Sequence, residues 1–313
     1  MSIIGTFLVG TMVLLTPTVE SDGVQLCGKS WPLETRELRC EGSPYSTTFK
    51  EGRLPDALAK LQNLEILVLR RVKLSDCSVL AQLPRLSALT LAHVRVTSQS
   101  CLASAPSLER LDLREAKLES IAGIAGLRSL LELRLPPHIE DVGPVAKLST
   151  LEVLDMKGSR VTNLEPLSGL KALKRLVLSG ASRVNEGKAL KSLAALEVLD
   201  LQATSISGVT WMRGMSALKT LLLGDTQVKD IRSLKRLTSL VTLDCAGTPI
   251  KRLPDLRAFT QLENLILSDT FVTKVRSLRK VETLRHLDLV GTEVSEKDLS
   301  ALKEALPDCV IEH

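Results

Sequence analysis

Leucine recurs along this chain in one arrangement, LxxLxL, whose first leucine falls at Leu64, Leu86, Leu108, Leu130, Leu151, Leu173, Leu196, Leu218, Leu240, Leu262 and Leu284. Successive copies lie 22 residues apart, with one interval of 21 and one of 23. Eleven copies in phase define a repeat architecture before any other feature is weighed. The alternating LxL that closes each copy predicts a short strand with both leucines inward, as at Leu221 and Leu223. Three positions later stands a hydroxyl residue: Ser159, then Thr204, Thr226, Thr248, Thr270 and Thr292. A buried hydroxyl must be hydrogen-bonded, so this column is expected to satisfy the backbone of the neighbouring turn as a ladder. An aliphatic residue then re-enters the core at Val161, Ile206, Val228, Ile250, Val272 and Val294.

The remainder of each copy is apolar at every third position, as in Val161, Leu164, Leu167, Leu170 and Leu173. A three-residue period over so short a span predicts a 3₁₀ or extended return rather than an α-helix. Parallel strands pair about 4.8 Å apart, and wider returns on the other side force such a stack to curve. The expected fold is an α/β solenoid, a curved horseshoe with a parallel sheet on its concave face. Short 3₁₀ or extended returns form the convex face, and both ends are capped.

This pattern resembles the leucine-rich-repeat family, in particular its 22-residue class of bacterial internalin-like proteins. The resemblance spans about Leu61 to Val294 and rests on the period, the leucines and the hydroxyl column. Thr or Ser stands where many family members carry Asn, and the first copies depart further, with Val72, Val94 and Ala116 at that position. The resemblance implies a curved solenoid that binds proteins, less often glycans or lipids, on its concave face.

The open ends of a solenoid core require caps. Upstream, Leu38-Arg-Cys40-Glu-Gly-Ser43-Pro-Tyr45 imitates a strand and turn, a degenerate first copy, with Trp31 placed to cover exposed leucines. Downstream, Ser295 and Asp298 form a capping-box variant ahead of a helix with Leu299, Leu302 and Leu306 on one face. Pro307 ends that helix, and Cys309-Val310-Ile311 is positioned to add an edge strand. The expected divisions are an apolar leader at 1–21, an N-terminal cap at 22–60, the solenoid at 61–294 and a C-terminal helix–strand cap at 295–313.

Residues Ile3 to Leu15 are apolar, broken only by Gly and Thr. That run is shorter than the roughly 20 residues of a membrane span and fits the apolar region of a signal peptide, with Val19-Glu20-Ser21 as a cleavage site. No Lys or Arg precedes it, so a retained segment packed on the open end is the other reading. Export is expected, to the periplasm, the cell surface or the medium, with the cytoplasm as the alternative. Of the six cysteines none forms CxxC, and no histidine stands at metal-ligand spacing, which argues against zinc. Cys27 and Cys40 are the one pair expected to bond, stapling the cap in an oxidising compartment; Cys40 and Cys245 also read as small core residues.

Aromatic residues make up only 2% of the chain, so the core must be aliphatic, which suits a stacked ladder better than a globular enzyme. The 41 basic and 36 acidic residues, net +5, are scattered and show no polyanion-binding footprint. Nucleic acid is therefore excluded as a partner.

Residues alternating with the buried leucines face the concave surface. They include Arg70, then Arg110, Asp112, Arg114, Glu132, Arg134, Asp155, Lys157 and Arg175, and later Asp200, Gln202, Asp244, Asn264, His286 and Asp288. The Lys and Arg residues of this set all lie in the N-terminal half. Such a face either pairs its charges across strands or orients an elongated partner. Both irregular intervals fall on one edge: Pro136-Pro137-His138 where a residue is missing, and Ser179 to Arg183 where one is extra. Loop irregularity marks either drift or a binding site, so His138 and Arg183 join the candidates. Trp211 and Phe271 are the aromatics placed to reach solvent.

No nucleophile elbow, phosphate-binding glycine loop or HExxH occurs. Of the four histidines, His286 beside Asp288 is the one placed to pair with a carboxylate. The expected function is a non-catalytic scaffold without cofactor, metal or transmembrane span that recognises a protein ligand, less readily a glycan. An intracellular regulatory subunit docking on an enzyme such as a phosphatase, and a purely structural surface protein, are the alternatives.

Overall fold

The computed structural model describes residues 23–42, 47–98 and 100–313; the apolar leader, and Ser43 to Tyr45 of the degenerate copy, lie outside them. A 13-stranded sheet runs from Glu37–Glu41 through Ile66–Arg70 and Ala88–Ala92 to His286–Asp288 and Val310–Glu312, every strand pairing in parallel with the next in sequence. The second strand position of each copy carries the same residue type. Leu38, Leu67, Leu89, Leu111, Leu133 and Leu154 stand in one register, which continues through Leu176, Leu199, Leu221, Leu243, Leu265 and Leu287 and ends at Ile311. These leucines are buried. The aliphatic column is thus the core of the solenoid, and its burial sets the strand register.

The returns opposite the sheet are 3₁₀ helices of three to six residues, such as Gly143–Lys147, Lys188–Ser192 and Arg232–Arg236, as the three-residue period requires. One early copy instead makes a short α-turn, Ser100–Ala103. The copies with Val72 and Val94 also differ beyond the sheet, where Lys73–Leu74 and Arg95–Val96 pair as a small second sheet. Nine of the turns after the main strand hold a left-handed residue at one position, namely Arg71, His93, Gly158, Gly180, Ala203, Asp225, Gly247, Asp269 and Gly291.

The hydroxyl column bonds differently from expectation. Thr226 Oγ1 donates to the carbonyl of Leu223 at 2.7 Å, within its own turn, and Thr204, Thr248, Thr270 and Thr292 repeat the geometry. The links between turns are made by backbone instead, as where Asp225 N–H donates to Ala246 and Gly247 N–H to Ser268. A threonine hydroxyl is three residues from a carbonyl in a tight turn, nearer than any group of the next copy. Ser159 Oγ, in the earlier copy, is buried without a partner.

At the N-terminus an antiparallel hairpin, Gly23–Leu26 with Lys29–Pro32, lays Val24 and Leu26 on the open core. Trp31 packs there too and donates its indole N–H to Leu26 O at 3.1 Å. Cys27 and Cys40 are joined across a Cα separation of 5.6 Å. A second disulfide, Cys77–Cys101 with Cα atoms 4.7 Å apart, was not foreseen from the sequence, which singled out one pair. Cys245 is a buried free thiol, and burial raises its pKa far above the ordinary thiol range. At the C-terminus, Ser295 caps the helix Glu296–Ala305 through the amide of Asp298, and Leu299, Leu302 and Leu306 close the core.

Candidate functional site

The sheet face presents one column of residues in register: Asp112, Arg134, Asp155, Val177, Asp200, Leu222, Asp244, Ile266 and Asp288. Aspartate therefore recurs on every second strand, about 9.6 Å apart at ordinary strand spacing. In the C-terminal half the intervening residues are aliphatic. Val177, Leu222 and Ile266 fall outside the polar candidates of the sequence, although the same alternation places them on this face.

Each of these aspartates has a local duty. Oδ1 accepts the backbone N–H two residues on: Arg114 from Asp112 at 3.1 Å, Lys157 from Asp155 at 3.0 Å and Gln202 from Asp200 at 3.1 Å. Asp244 and Asp288 hold Ala246 and Val290 likewise, both at 2.9 Å. Short acceptors of this kind fix the exit of the chain from the strand. The second carboxylate oxygen of Asp112 is taken by Arg114 and that of Asp244 by Gln202.

In the N-terminal half the charges pair. Arg114 lies against Asp112 at 2.7 Å, Arg134 reaches Asp112 at 3.6 Å, and Arg134 also grips Glu132 at 2.6 Å. Burial pushes the Asp112 carboxyl upward, but the hydrogen bonds from Arg114 and the charges of Arg114 and Arg134 outweigh it and hold the group below its ordinary range. Arg110 stands beside this network at the rim of a hollow of about 160 Å³. Small residues, Ala88 and Thr90, open that hollow on the preceding strand. Arg110, Lys157 and Arg175 are exposed and take no carboxylate partner among the described residues.

The C-terminal half is built otherwise. Gln202 donates its side-chain amide to Asp244 Oδ2 at 2.8 Å, passing over Gly224, where a Cβ would sit 3.3 Å from the amide nitrogen. Burial raises the Asp244 carboxyl above its ordinary range, and the neighbouring Asp225 and Asp200 add to this against the hydrogen bonds from Ala246 and Gln202. His286 does not pair with Asp288. Its Nε2 lies 3.1 Å from Glu312 Oε1 on the last strand, a diagonal contact, since Val310 stands opposite His286 and Glu312 opposite Asp288.

His138 and Arg183 lie off the sheet face, on the lateral edge. His138 Nε2 meets Leu118 O at 2.8 Å. Arg183 reaches Glu140 at 3.1 Å, which ties the short turn to the long one. Phe271 is exposed, 61%, with Lys251 Nζ 5.9 Å from its ring centroid. Trp211 is half-buried, its ring lying over Gly187 and its N–H bonded to Gly208 O.

A family model described as leucine-rich repeats, two copies, matches residues 216–258. Its span covers two strands of the ladder, and the other strands of that sheet stand in the same register. The chain has the leucine-rich-repeat fold. No curated protein sequence matches it. Among solved structures, this leucine-rich-repeat chain is similar to a leucine-rich-repeat protein of Leptospira interrogans, at 26% identity and TM-score 0.77, over 83% of this chain and 69% of that one. It is also similar to an internalin of Listeria monocytogenes, at 19% identity and TM-score 0.67, over 91% and 89% of the two chains. A third is Toll from Drosophila, determined in complex with Spatzle, at 18% identity and TM-score 0.67, over 77% of this chain and 35% of that one.

Proposed function

We propose that this protein is a non-catalytic scaffold that binds a protein ligand along its sheet face. The observation that carries the reading is the polarity of that face. Free cations at Arg110, Lys157 and Arg175 precede a stretch in which Asp200, Asp244 and Asp288 alternate with Leu222 and Ile266. A ligand with acidic groups at one end, and basic and aliphatic groups at the other, is bound in one orientation. The aliphatic ridges supply the desolvated contacts from which interface affinity arises. Toll offers a parallel as a solenoid of similar fold whose structure holds a partner.

A peptide library displayed against the intact protein tests this. Selected binders should lose at least about tenfold in affinity with Leu222→Arg and keep it with Lys191→Glu on the opposite face. Binders indifferent to Leu222→Arg would overturn the assignment of the face. Failure to select any saturable binder would favour the purely structural role.

Export is part of the same proposal. Disulfides persist in oxidising compartments, and two are present. Intact mass of natively expressed protein, alkylated under denaturing conditions, should show labelling of Cys245 and Cys309 alone and a start near Asp22. An intact N-terminus with every thiol labelled would put the intracellular regulatory subunit first.

A further inference from the structure

One position on the lateral edge, immediately before the residue that re-enters the core, is basic in six consecutive copies: Lys73, Arg95, Lys117, His138, Arg160 and Arg183. In the next five copies it is Ser205, Gln227, Pro249, Phe271 and Glu293. Along the sequence these charges are ordinary scatter, which is why a polyanion footprint was not expected. Folding stacks them. Lys73 pairs in parallel register with Arg95, Arg95 bridges to Lys117, and Arg160 N–H donates to the carbonyl of Ile139, next to His138. All six side chains are exposed.

Four of the six carry a permanent charge with no ion-pair partner among the described residues: Lys73, Arg95, Lys117 and Arg160. Arg183 is held by Glu140. Nearby carboxylates are committed elsewhere: Asp76 accepts the Ser78 amide, and Asp141 accepts that of Gly143. Glu119 is the exception and faces the same groove. Between Arg95, Lys117 and His138 the edge opens into a groove of about 460 Å³, whose walls also offer the hydroxyls of Thr97, Ser98 and Ser120. Like charges side by side repel, and a fold that stacks four of them with no ion-pair partner among the described residues leaves a binding site for an anion.

We infer that this edge binds a sulfated linear polysaccharide, laid along the solenoid axis with one anionic group near each cation. Spacing selects the ligand. Cations on successive strands stand about 4.8 Å apart, whereas an extended acidic peptide presents same-face carboxylates about 6.7 Å apart, out of step after two or three copies. Each ring of a linear polysaccharide advances it by about one strand spacing, and its free hydroxyls match Thr97, Ser98 and Ser120. A single-stranded nucleic acid would want aromatic platforms for its bases, and none lines this groove. The edge is separate from the sheet face, so this inference stands whether or not that face takes a protein.

The probe is a fluorescent heparin-derived decasaccharide, titrated by polarisation against the intact protein. The quadruple variant Lys73→Ser, Arg95→Ser, Lys117→Ser, Arg160→Ser should bind at least about tenfold more weakly, and log K of the parent should fall with log salt with a slope of about 3. A charge-matched variant on the 3₁₀ returns, Arg213→Ser, Lys235→Ser, Arg236→Ser, Lys280→Ser, should stay within about twofold of the parent. Arg95→Ser alone reads the same effect on a smaller scale if the quadruple variant melts early. Equal losses in the two quadruple variants would reduce the effect to net charge and overturn the inference. So would undiminished binding of desulfated decasaccharide, equal binding of polyglutamate or of single-stranded DNA, or no binding at all.

Discussion

Arg183 reaches across the lateral edge to Glu140 at 3.1 Å, joining the turn with an extra residue to the turn with one too few. The intervals of 21, 22 and 23 from Leu130 to Leu196 add to three regular repeats, so the ladder leaves this region in its original phase. Both side chains are more than half exposed, and an exposed pair contributes little. Arg183→Ala should therefore lower the unfolding free energy by less than about 1 kcal/mol, with an unchanged slope in urea. A loss above about 2 kcal/mol would show that the two turns depend on one another through this pair.

The hydroxyl column supplies a paired test. Thr226 is fully buried and donates to Leu223 O, so Thr226→Val keeps the shape and removes the bond. The expected cost is about 1 kcal/mol, the ordinary net value of one such bond. Ser159 is also buried, but its hydroxyl has no partner, so Ser159→Ala should leave stability unchanged or raise it. Urea melts of the two variants check this. Equal losses in both would mean that the column acts by packing alone.

The strands, the 3₁₀ returns and the leucine register were legible in the sequence because each is repeated, and a repeat averages away local noise. What was not legible lies between copies. Cys77 and Cys101 are 24 residues apart, not 22, so they occupy different positions of the repeat and meet diagonally; the short α-turn at Ser100–Ala103 carries Cys101 into that contact. His286 chose Glu312 over Asp288 for a similar reason, since the last strand comes from the cap and falls outside the repeat pattern. On the sheet face the local duties of the aspartates are not legible in the sequence. A sequence shows that Asp200 and Asp244 face outward, and not that each first anchors its own turn.

Asp244 makes stability depend on pH. Its folded carboxyl is raised, chiefly by burial, with Asp225 and Asp200 nearby. A raised group favours the protonated fold, so its contribution is fully present below the unfolded carboxylate pKa and is lost as pH rises through the folded value. Asp244→Asn keeps an oxygen for the Ala246 amide and removes the charge. The variant should be at least as stable as the parent at about pH 7, and the difference should close near pH 3.5, below the ordinary aspartate range. Urea midpoints at the two pH values decide it. A variant less stable than the parent at neutral pH would mean that the charged form is the one the fold uses.

The two disulfides should differ in how they yield. Cys77 and Cys101 are both buried, at 2% and 3%, inside the first full copies, whereas Cys27 lies at the rim of the cap and is only partly covered. A thiolate must reach a sulfur to exchange with it, so mild reduction under native conditions should open Cys27–Cys40 first. Timed alkylation and peptide mapping would show the order, and simultaneous loss of both would mean that the cap unfolds as one with the first copies. The closed segments are 13 and 24 residues in sequence separation, which in the loop-entropy account makes each bridge worth about 3 kcal/mol. Removing the inner bridge with Cys77→Ala and Cys101→Ala should therefore cost about 3 kcal/mol or slightly more, since two small cavities are added. In a solenoid each copy leans on its neighbours, so that loss should appear as early melting of the N-terminal copies while the register from Leu154 to Leu287 holds. Hydrogen exchange resolved by segment would detect it, and uniform loss of protection along the chain would instead show that the ladder unfolds as a single unit.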